Sequence, residues 1–278
     1  MPYAKTPPLV PADWLSRHLS DASLVVLDCR WRLTDADFGA KAYAEGHIPN
    51  ARFVDLNRDL SAPSARYGGR HPLPLPEAFQ RRMGELGVGS DSYVICYDDD
   101  GAGAARCWWC LCFYGHCRVS VLDGGFPLWT ASGYAVTQET PVIEPQPFKA
   151  RPDPRMVADY QTVYNLRTAI PLVDARTPER YLGTVEPVDF KAGHIPGAAN
   201  VPYSSVLTDQ GTFRPREELS RLFEPVATQD ADPIVYCGSG VSACVTILAM
   251  RKAGLTAMLY PGSWSDWIQH EDSPIDGP

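Results

Sequence analysis

Residues 234–244 are Ile234-Val235-Tyr236-Cys237-Gly238-Ser239-Gly240-Val241-Ser242-Ala243-Cys244. The apolar run before Cys237 predicts a short buried strand, and the residues from 241 onward predict a helix that ends at Gly254. Two glycines in between permit a tight turn, because glycine adopts positive φ without a steric penalty. The segment therefore predicts a cysteine at the end of a strand, in a loop that leads directly into a helix.

This placement favours a reactive role for Cys237 over a structural one. The backbone N–H groups of such a loop point toward the sulfur, which also lies near the positive end of the following helix. That environment stabilises a thiolate, the nucleophilic form of cysteine, so we expect Cys237 to be a nucleophile. The N–H groups expected to hold negative charge at this site belong to Gly238, Ser239, Gly240, Val241 and Ser242.

The composition is that of a globular protein with ample apolar residues for a core. Of 278 residues, 45% are hydrophobic and 21% are charged, and the net charge is −8. The absence of a basic run argues against nucleic acid as a partner. No apolar stretch approaches the roughly 18 residues of a membrane helix, and residues 1–8 do not resemble a signal peptide. Eight cysteines are too few for a disulfide scaffold at this length, so we expect reduced thiols and a cytoplasmic location.

The chain contains two copies of one sequence pattern. Leu27-Asp28-Cys29-Arg30 returns as Val173-Asp174-Ala175-Arg176, and Gly46-His47-Ile48-Pro49 returns as Gly193-His194-Ile195-Pro196. Two further landmarks follow in the same order, since residues 93–98 parallel 234–237 and residues 122–129 parallel 259–267. Such ordered self-similarity indicates a duplicated structural unit.

Five prolines between positions 141 and 154 favour an extended linker between the copies. We predict a first domain at residues 1–138, a linker at 139–155 and a second domain at 156–278. Within each copy, β-rich runs alternate with helical stretches, which is typical of an α/β fold with a mostly parallel sheet flanked by helices. Strands are expected at 24–27, 93–97, 172–174 and 234–236, and helices at 76–86, 104–115 and 216–223.

Taken together, the two Asp-x-Arg segments, the two Gly-His-Ile-Pro segments, the Cys237 loop and Gly262-Ser263-Trp264 resemble the tandem-domain rhodanese family of sulfurtransferases. The resemblance implies two rhodanese-like domains, of which the second is catalytic and the first has lost its nucleophile. Asp98 or Asp99 stands where the first domain would need its thiol. The implied reaction passes sulfur through a persulfide on Cys237 and uses neither a metal nor an organic cofactor.

The resemblance also suggests the substrates. It assigns binding of the anionic donor to Arg180, for which a solvated surface arginine is the alternative. The neutral sequence Cys-Gly-Ser-Gly-Val at 237–241 is similar to that of 3-mercaptopyruvate sulfurtransferases, whereas thiosulfate-type enzymes place cations after the cysteine. We therefore expect 3-mercaptopyruvate as the favoured donor, thiosulfate as the alternative, and a thiol, thioredoxin or cyanide as the acceptor.

Two features depart from the mercaptopyruvate pattern. The usual second arginine before Gly-His-Ile-Pro is missing, and Lys191 is the only cation in residues 186–192. The family's proposed serine–histidine–acid relay implies catalytic roles for Ser239 and His71, but Asn57 stands at the acid position. Asp55 and Asp59 are alternatives for the acid, and His71 has two open interpretations, catalysis and packing.

The remaining histidines have a structural interpretation. His47 and His194 are equivalent residues of the two copies. Because the first copy lacks a nucleophile, a residue present in both copies is expected to be structural. By the same logic Asp28 and Asp174 are expected to orient loops, with Arg30 and Arg176 paired to nearby carboxylates.

Three other functions were compared with this one. A phosphatase would need arginine six residues after the cysteine, where this chain has Ala243. A sulfur carrier or persulfide sensor without its own donor remains an alternative to an enzyme. A metal site at Cys107, Cys110, Cys112 and Cys117 is disfavoured, because their spacing lacks paired Cys-x2-Cys motifs and the segment predicts a buried helix.

Cys244 is expected to pack inside its helix, the alternative being a disulfide with Cys237.

Overall fold

The computed structural model describes residues 6–228 and 231–277. The chain divides into two compact units, and residues 63–72 belong to the second of them. Among the described residues, the first unit otherwise comprises 6–62, 73–153 and 209–212. The second comprises 154–208, 213–228 and 231–277. Residues 1–5 and 278, at the two ends of the sequence, lie outside the described residues. The division into a first domain at 1–138, a linker at 139–155 and a second domain at 156–278 stays a prediction.

The first unit is built on a parallel sheet. Its strands are β1 (Leu9–Val10), β2 (Leu24–Asp28), β3 (Ala51–Phe53), β4 (Tyr93–Tyr97) and β5 (Val119–Leu122). Its helices are α1 (Ala12–His18), α2 (Phe38–Glu45), α3 (Leu56–Asp59), α4 (Pro76–Glu85), α5 (Ala102–Phe113) and α6 (Gly125–Ala131). Among the described residues, the strands lie in the order β1-β5-β4-β2-β3, and every pair is parallel.

The second unit repeats this plan on a smaller sheet. Its strands are β6 (Leu172–Asp174), β7 (Ala198–Asn200), β8 (Ile234–Tyr236) and β9 (Met258–Leu259). Its α-helices are α7 (Tyr160–Leu166), α8 (Pro178–Tyr181), α9 (Arg216–Phe223), α10 (Ala243–Ala253) and α11 (Ser263–Trp267), with short 3-10 turns at Pro154–Met156, Tyr203–Val206 and Glu224–Val226. In the part of the chain that the structure describes, the order is β7-β6-β8-β9, again all parallel. The predicted α/β class with two parallel sheets is confirmed.

Half of the eight predicted elements have the expected bounds: strands 93–97, 172–174 and 234–236 and helix 216–223. The strand expected at 24–27 extends to Asp28, the helix expected at 76–86 ends at Glu85, and the helix expected at 104–115 spans Ala102–Phe113. The helix expected from residue 241 begins at Ala243 instead, since Val241 and Ser242 still belong to the turn that follows Cys237. Throughout the described ranges, the helices are too short or too polar to span a lipid bilayer.

A buried arginine–aspartate pair sits at the same place in both units. In the first unit, Arg30 Nη2 donates to Asp28 Oδ2 at 2.6 Å and to Gly46 O at 2.7 Å. In the second, Arg176 Nη2 donates to Asp174 Oδ2 at 2.6 Å and to Gly193 O at 2.7 Å. Each guanidinium thus joins a strand end to the Gly-His-Ile-Pro turn. The predicted pairing of both arginines with carboxylates is confirmed.

The two repeated histidines hold the same turn in place. His47 Nδ1 donates to Tyr43 O and His194 Nδ1 donates to Tyr181 O, each at 2.8 Å. Each ring also stacks on the tyrosine that provides this carbonyl. These contacts agree with the structural interpretation of both residues.

The buried pair gives a stability prediction. Arg176→Ala leaves the fully buried Asp174 carboxylate without its guanidinium, and we expect a loss of about 3–5 kcal/mol in the free energy of unfolding. Arg17→Ala is the control, because its ion pair with Asp13 is more than half exposed on both sides and such pairs contribute less than about 1 kcal/mol. Urea unfolding of both variants measures the difference, and equal losses would contradict this account.

Candidate active site

Cys237 lies directly after β8, at the carboxyl end of a central strand of the second sheet. The Gly240 N–H donates to Cys237 Sγ at 3.2 Å, so the loop folds its backbone back onto the sulfur. Gly240 has φ of 74°, and a Cβ at this position would lie 2.4 Å from Pro261 O. Both the conformation and the close approach therefore require glycine. The Cys237 side chain is buried, with 1% of the residue exposed.

The start of α11 holds the loop from its other side. Cys237 N–H donates to Ser263 Oγ at 3.1 Å, and Ser263 Oγ donates to Tyr260 O at 2.8 Å. The N–H groups of Trp264 and Ser265 donate to the carbonyls of Cys237 and Gly238, each at 3.0 Å. Ser263 adopts φ of 55°, in the left-handed region that a serine rarely occupies. Strain of this kind persists where the surroundings fix the backbone, here around Cys237.

The first unit shows the same frame with a different side chain. Asp98 follows β4, and its carboxylate accepts from Gly101 N–H at 2.7 Å and from Ala104 N–H at 2.9 Å. Phe126 N–H donates to Asp98 O at 2.8 Å, as Trp264 N–H does to Cys237 O. Asp98 therefore occupies the position equivalent to Cys237, which the sequence had left open between Asp98 and Asp99. Burial raises the pKa of the Asp98 carboxyl.

Ser239 and His71 meet in the second unit. His71 Nδ1 lies 2.8 Å from Ser239 Oγ, and both residues are buried. The chain around His71 is anchored to α11, since Gly68 N–H donates to Asp266 Oδ1 at 2.7 Å and Arg70 N–H donates to Ser265 Oγ at 3.1 Å. Two members of the expected relay are thus in contact beside the loop.

The candidates for the acid of that relay have partners within the first unit. Asp55 accepts from the N–H groups of Asn57 and Arg58 at the start of α3. Asp59 forms an ion pair with Arg82 at 3.0 Å and also contacts Arg58. The identity of the acid stays a prediction.

Two guanidinium groups flank the residue after Cys237. A Cβ built on Gly238 would lie 2.9 Å from Arg70 Nη2 and 3.3 Å from Arg180 Nη1. Arg180 Nη2 donates to Glu186 Oε1 at 2.8 Å and to Asp189 Oδ2 at 2.9 Å, and Arg70 Nη1 donates to Asp189 Oδ1. Arg180 is therefore not a free surface cation but part of a charged cluster at the active loop.

Burial and charge act in opposite directions on these two carboxylates. Burial alone would raise the pKa of Glu186, but hydrogen bonds from Arg180 and backbone N–H groups lower it overall. For Asp189, burial prevails and raises the pKa despite the nearby Arg70 and Arg180. Asp189 consequently has the less strongly stabilised negative charge of the two.

The rhodanese-like domain family matches this chain twice, at residues 11–132 and 159–270. The chain belongs to the rhodanese family. It is 42% identical to a Pseudomonas aeruginosa protein named a probable 3-mercaptopyruvate sulfurtransferase, over 96% of this chain and 97% of the relative. It is 37% identical to a thiosulfate sulfurtransferase of Cricetulus griseus, over 96% of this chain and 93% of the relative.

A solved rhodanese structure has the same fold. The crystal structure of SseA from Escherichia coli, described among the 3-mercaptopyruvate sulfotransferases, superposes with a TM-score of 0.82 at 34% identity. The match covers 94% of this chain and all of the other. These comparisons confirm the predicted family and the tandem architecture.

Several residues of this rhodanese site were not predicted from the sequence. Ser263 lies in the Gly-Ser-Trp segment, and the sequence signal for it is the glycine at the matching position of the first copy, Gly125. In the structure both residues have positive φ, 55° for Ser263 and 58° for Gly125. Arg70 precedes His71, but its contact with the loop depends on a segment far away in sequence. Lys191, which the sequence analysis did consider as the only cation in residues 186–192, has its Nζ 5.8 Å from the centre of the Phe190 ring.

The other cysteines of this rhodanese are free thiols. Cys244 Sγ donates to Gly240 O at 3.4 Å inside α10, so it packs against the loop as expected. In the first unit, the Sγ atoms of Cys29, Cys96 and Cys107 lie within 4.8 Å of one another in the core. The structure therefore groups Cys107 with neighbours outside the quartet considered from the sequence.

The left-handed Ser263 gives a prediction on stability. Both Ser263→Ala and Ser263→Gly remove the acceptor of Cys237 N–H, but only glycine relieves the backbone strain. We expect the alanine variant to be about 1 kcal/mol less stable than the glycine variant in urea unfolding. Ser220, exposed within α9, is the matched control, where alanine should be the more stable variant by about 1 kcal/mol. The same order at both positions would contradict the assigned strain.

Proposed function

We propose that this protein is a sulfurtransferase that carries sulfane sulfur as a persulfide on Cys237. The observation that supports it most directly is the Cys237 thiol, held against the Gly240 N–H with two guanidiniums beside the next residue. The loop can stabilise an anionic sulfur, and Arg180 can bind an anionic donor. No sulfur can be carried at the equivalent Asp98, so one of the two copies acts.

In the first half-reaction, the Cys237 thiolate attacks the sulfur of the donor. With 3-mercaptopyruvate, an S–S bond forms and the carbon–sulfur bond breaks. Its electron pair passes to the carbon, which leaves as the pyruvate enolate and takes up a proton. Ser239 belongs to the loop and contacts His71, and we assign the supply of that proton to this pair.

In the second half-reaction, an acceptor removes the outer sulfur. A thiol, a thioredoxin or cyanide attacks it, the S–S bond breaks, and Cys237 returns to the thiolate. The reaction is therefore ping-pong. We assign stabilisation of negative charge in both half-reactions to the backbone N–H groups of Gly238, Ser239, Gly240, Val241 and Ser242.

The neutral loop favours 3-mercaptopyruvate over thiosulfate as the donor. Gly238, Ser239 and Gly240 add no positive charge next to the sulfur, which suits a monoanion with a carboxylate remote from the reacting atom. The named relatives include both donor types, so this preference rests on the loop itself. The anion-binding arginines favour an enzyme over a carrier that lacks a donor of its own. The cytoplasmic location stays a prediction that accords with free thiols.

The central role of Cys237 can be tested by one substitution. Cys237→Ser should abolish pyruvate release from 3-mercaptopyruvate, because the hydroxyl cannot carry sulfane sulfur, while Cys117→Ser, at a half-buried thiol, should leave it unchanged. Mass spectrometry of the wild type after donor treatment should find one added sulfur atom on the Cys237 peptide. Turnover by Cys237→Ser would show that the site is wrongly assigned.

The donor preference and the proton route give a further prediction. With cyanide as the acceptor, kcat/KM should be higher for 3-mercaptopyruvate than for thiosulfate. Ser239→Ala should lower kcat for 3-mercaptopyruvate by about 100-fold or more, since its leaving enolate needs a proton. Thiosulfate turnover should fall much less, because sulfite leaves without one. The reverse donor ranking, or equal losses for both donors, would contradict this assignment.

A further inference from the structure

Asp189 lies between the two guanidiniums that face the active loop. Its Oδ2 accepts from Arg180 Nη2 at 2.9 Å, and its Oδ1 accepts from Arg70 Nη1. The same two arginines would contact a Cβ on Gly238, next to the nucleophile. A carboxylate of the chain itself therefore occupies the guanidinium pair best placed to receive a carboxylate from a substrate.

The second carboxylate of the cluster is held much more firmly. Glu186 accepts from Arg180 and also from Arg176 Nη1 at 3.4 Å. It further accepts from the N–H groups of Val188 and Asp189, at 3.1 and 3.0 Å. Glu186 is thus fixed by two guanidiniums and two backbone groups, and it neutralises Arg180 permanently.

Asp189 has a different setting. Its side-chain contacts are to the ends of two long side chains, and Arg70 keeps 28% of its side chain exposed. Asp189 and Arg70 also line an open cleft of about 340 Å³, together with Val188 and Phe190. The Asp189 side chain is itself only 5% exposed, and this cleft is the space beside it into which the carboxylate would turn on leaving the two guanidiniums.

We propose that Asp189 is an internal competitor for the anionic donor: its carboxylate is displaced from Arg70 and Arg180 when the donor's carboxylate binds. Asp189 then determines specificity, because it weakens binding of every anion and weakens binding of a dianion more than that of a monoanion. Arg70 supplies the second donor-binding arginine, which residues 186–192 lack. This inference rests on the proposed function, in which an anion approaches Cys237.

The proposal can be tested without any sulfur transfer. Iodoacetate and iodoacetamide have similar size and both alkylate a thiolate, but only iodoacetate is an anion. Mass spectrometry of the Cys237 peptide measures the alkylation rate with each reagent. The ratio of the two rates reports the electrostatic field at Cys237, because the intrinsic reactivity of the thiol affects both rates equally. Asp189→Asn should raise the iodoacetate to iodoacetamide ratio about 3- to 10-fold, and Arg70→Gln should lower it by a similar factor.

Matched controls separate this effect from net charge. Glu217→Gln and Arg221→Gln change the charge by the same amounts on the exposed side of α9, and both should leave the ratio at the wild-type value. In turnover, Asp189→Asn should lower KM for thiosulfate more than KM for 3-mercaptopyruvate, with kcat less affected.

An unchanged alkylation ratio in folded Asp189→Asn would overturn the proposal. If that variant does not fold, Arg70→Gln decides alone, since a wild-type ratio there would equally overturn it. A failure of the proposed sulfurtransferase function would show in a different experiment. There, either Cys237→Ser would still release pyruvate from 3-mercaptopyruvate, or the wild type would release none. The two failures are therefore distinguishable.

Discussion

The hydrogen bond from Gly240 N–H to Cys237 Sγ is the interaction on which the site depends. It exists only because the backbone reverses within three residues, which requires positive φ at Gly240 against the Pro261 carbonyl. The reversal is held at both ends, by β8 before it and by the first N–H groups of α11 across from it. The second sheet thus serves to bring one strand end and one helix start together around a sulfur atom.

Comparison of the two copies separates the contribution of the backbone around Cys237 from that of its side chains. In the first unit, Asp98 accepts a hydrogen bond from the N–H three residues later, as Cys237 does. Gly125 takes the left-handed conformation that Ser263 has in the second unit. The backbone cradle is therefore common to both copies, which differ in the side chains they carry: Cys237 and Ser263 in the second unit, Asp98 and Gly125 in the first. A buried carboxylate fills the cradle in the first unit at the cost of a raised pKa.

The sequence was sufficient for the features that local patterns encode. Apolar runs bounded by turn residues gave the strands at 93–97 and 234–236, and the repeated motifs together with the Cys237 loop gave the family. Contacts between distant segments could not be predicted from the sequence. Asp189 and Arg70 are 119 residues apart in the chain, and no local sequence pattern indicates that they form an ion pair. The choice between Asp98 and Asp99 likewise depended on register, since a shift of one residue moves a side chain to the other face of a strand.

The charged cluster beside the loop reflects two opposing requirements. A guanidinium half buried against backbone is costly without a carboxylate partner, so the folded state favours Glu186 and Asp189 beside Arg180. Binding an anionic donor needs the opposite, because every neutralising carboxylate weakens the attraction. Dividing the work between two carboxylates meets both requirements. Glu186, fixed by Arg176 and two backbone N–H groups, keeps Arg180 oriented, while Asp189 holds the remaining contacts through exchangeable side chains. The same arrangement explains why a cluster of nearly balanced charge can still be a binding site for an anion.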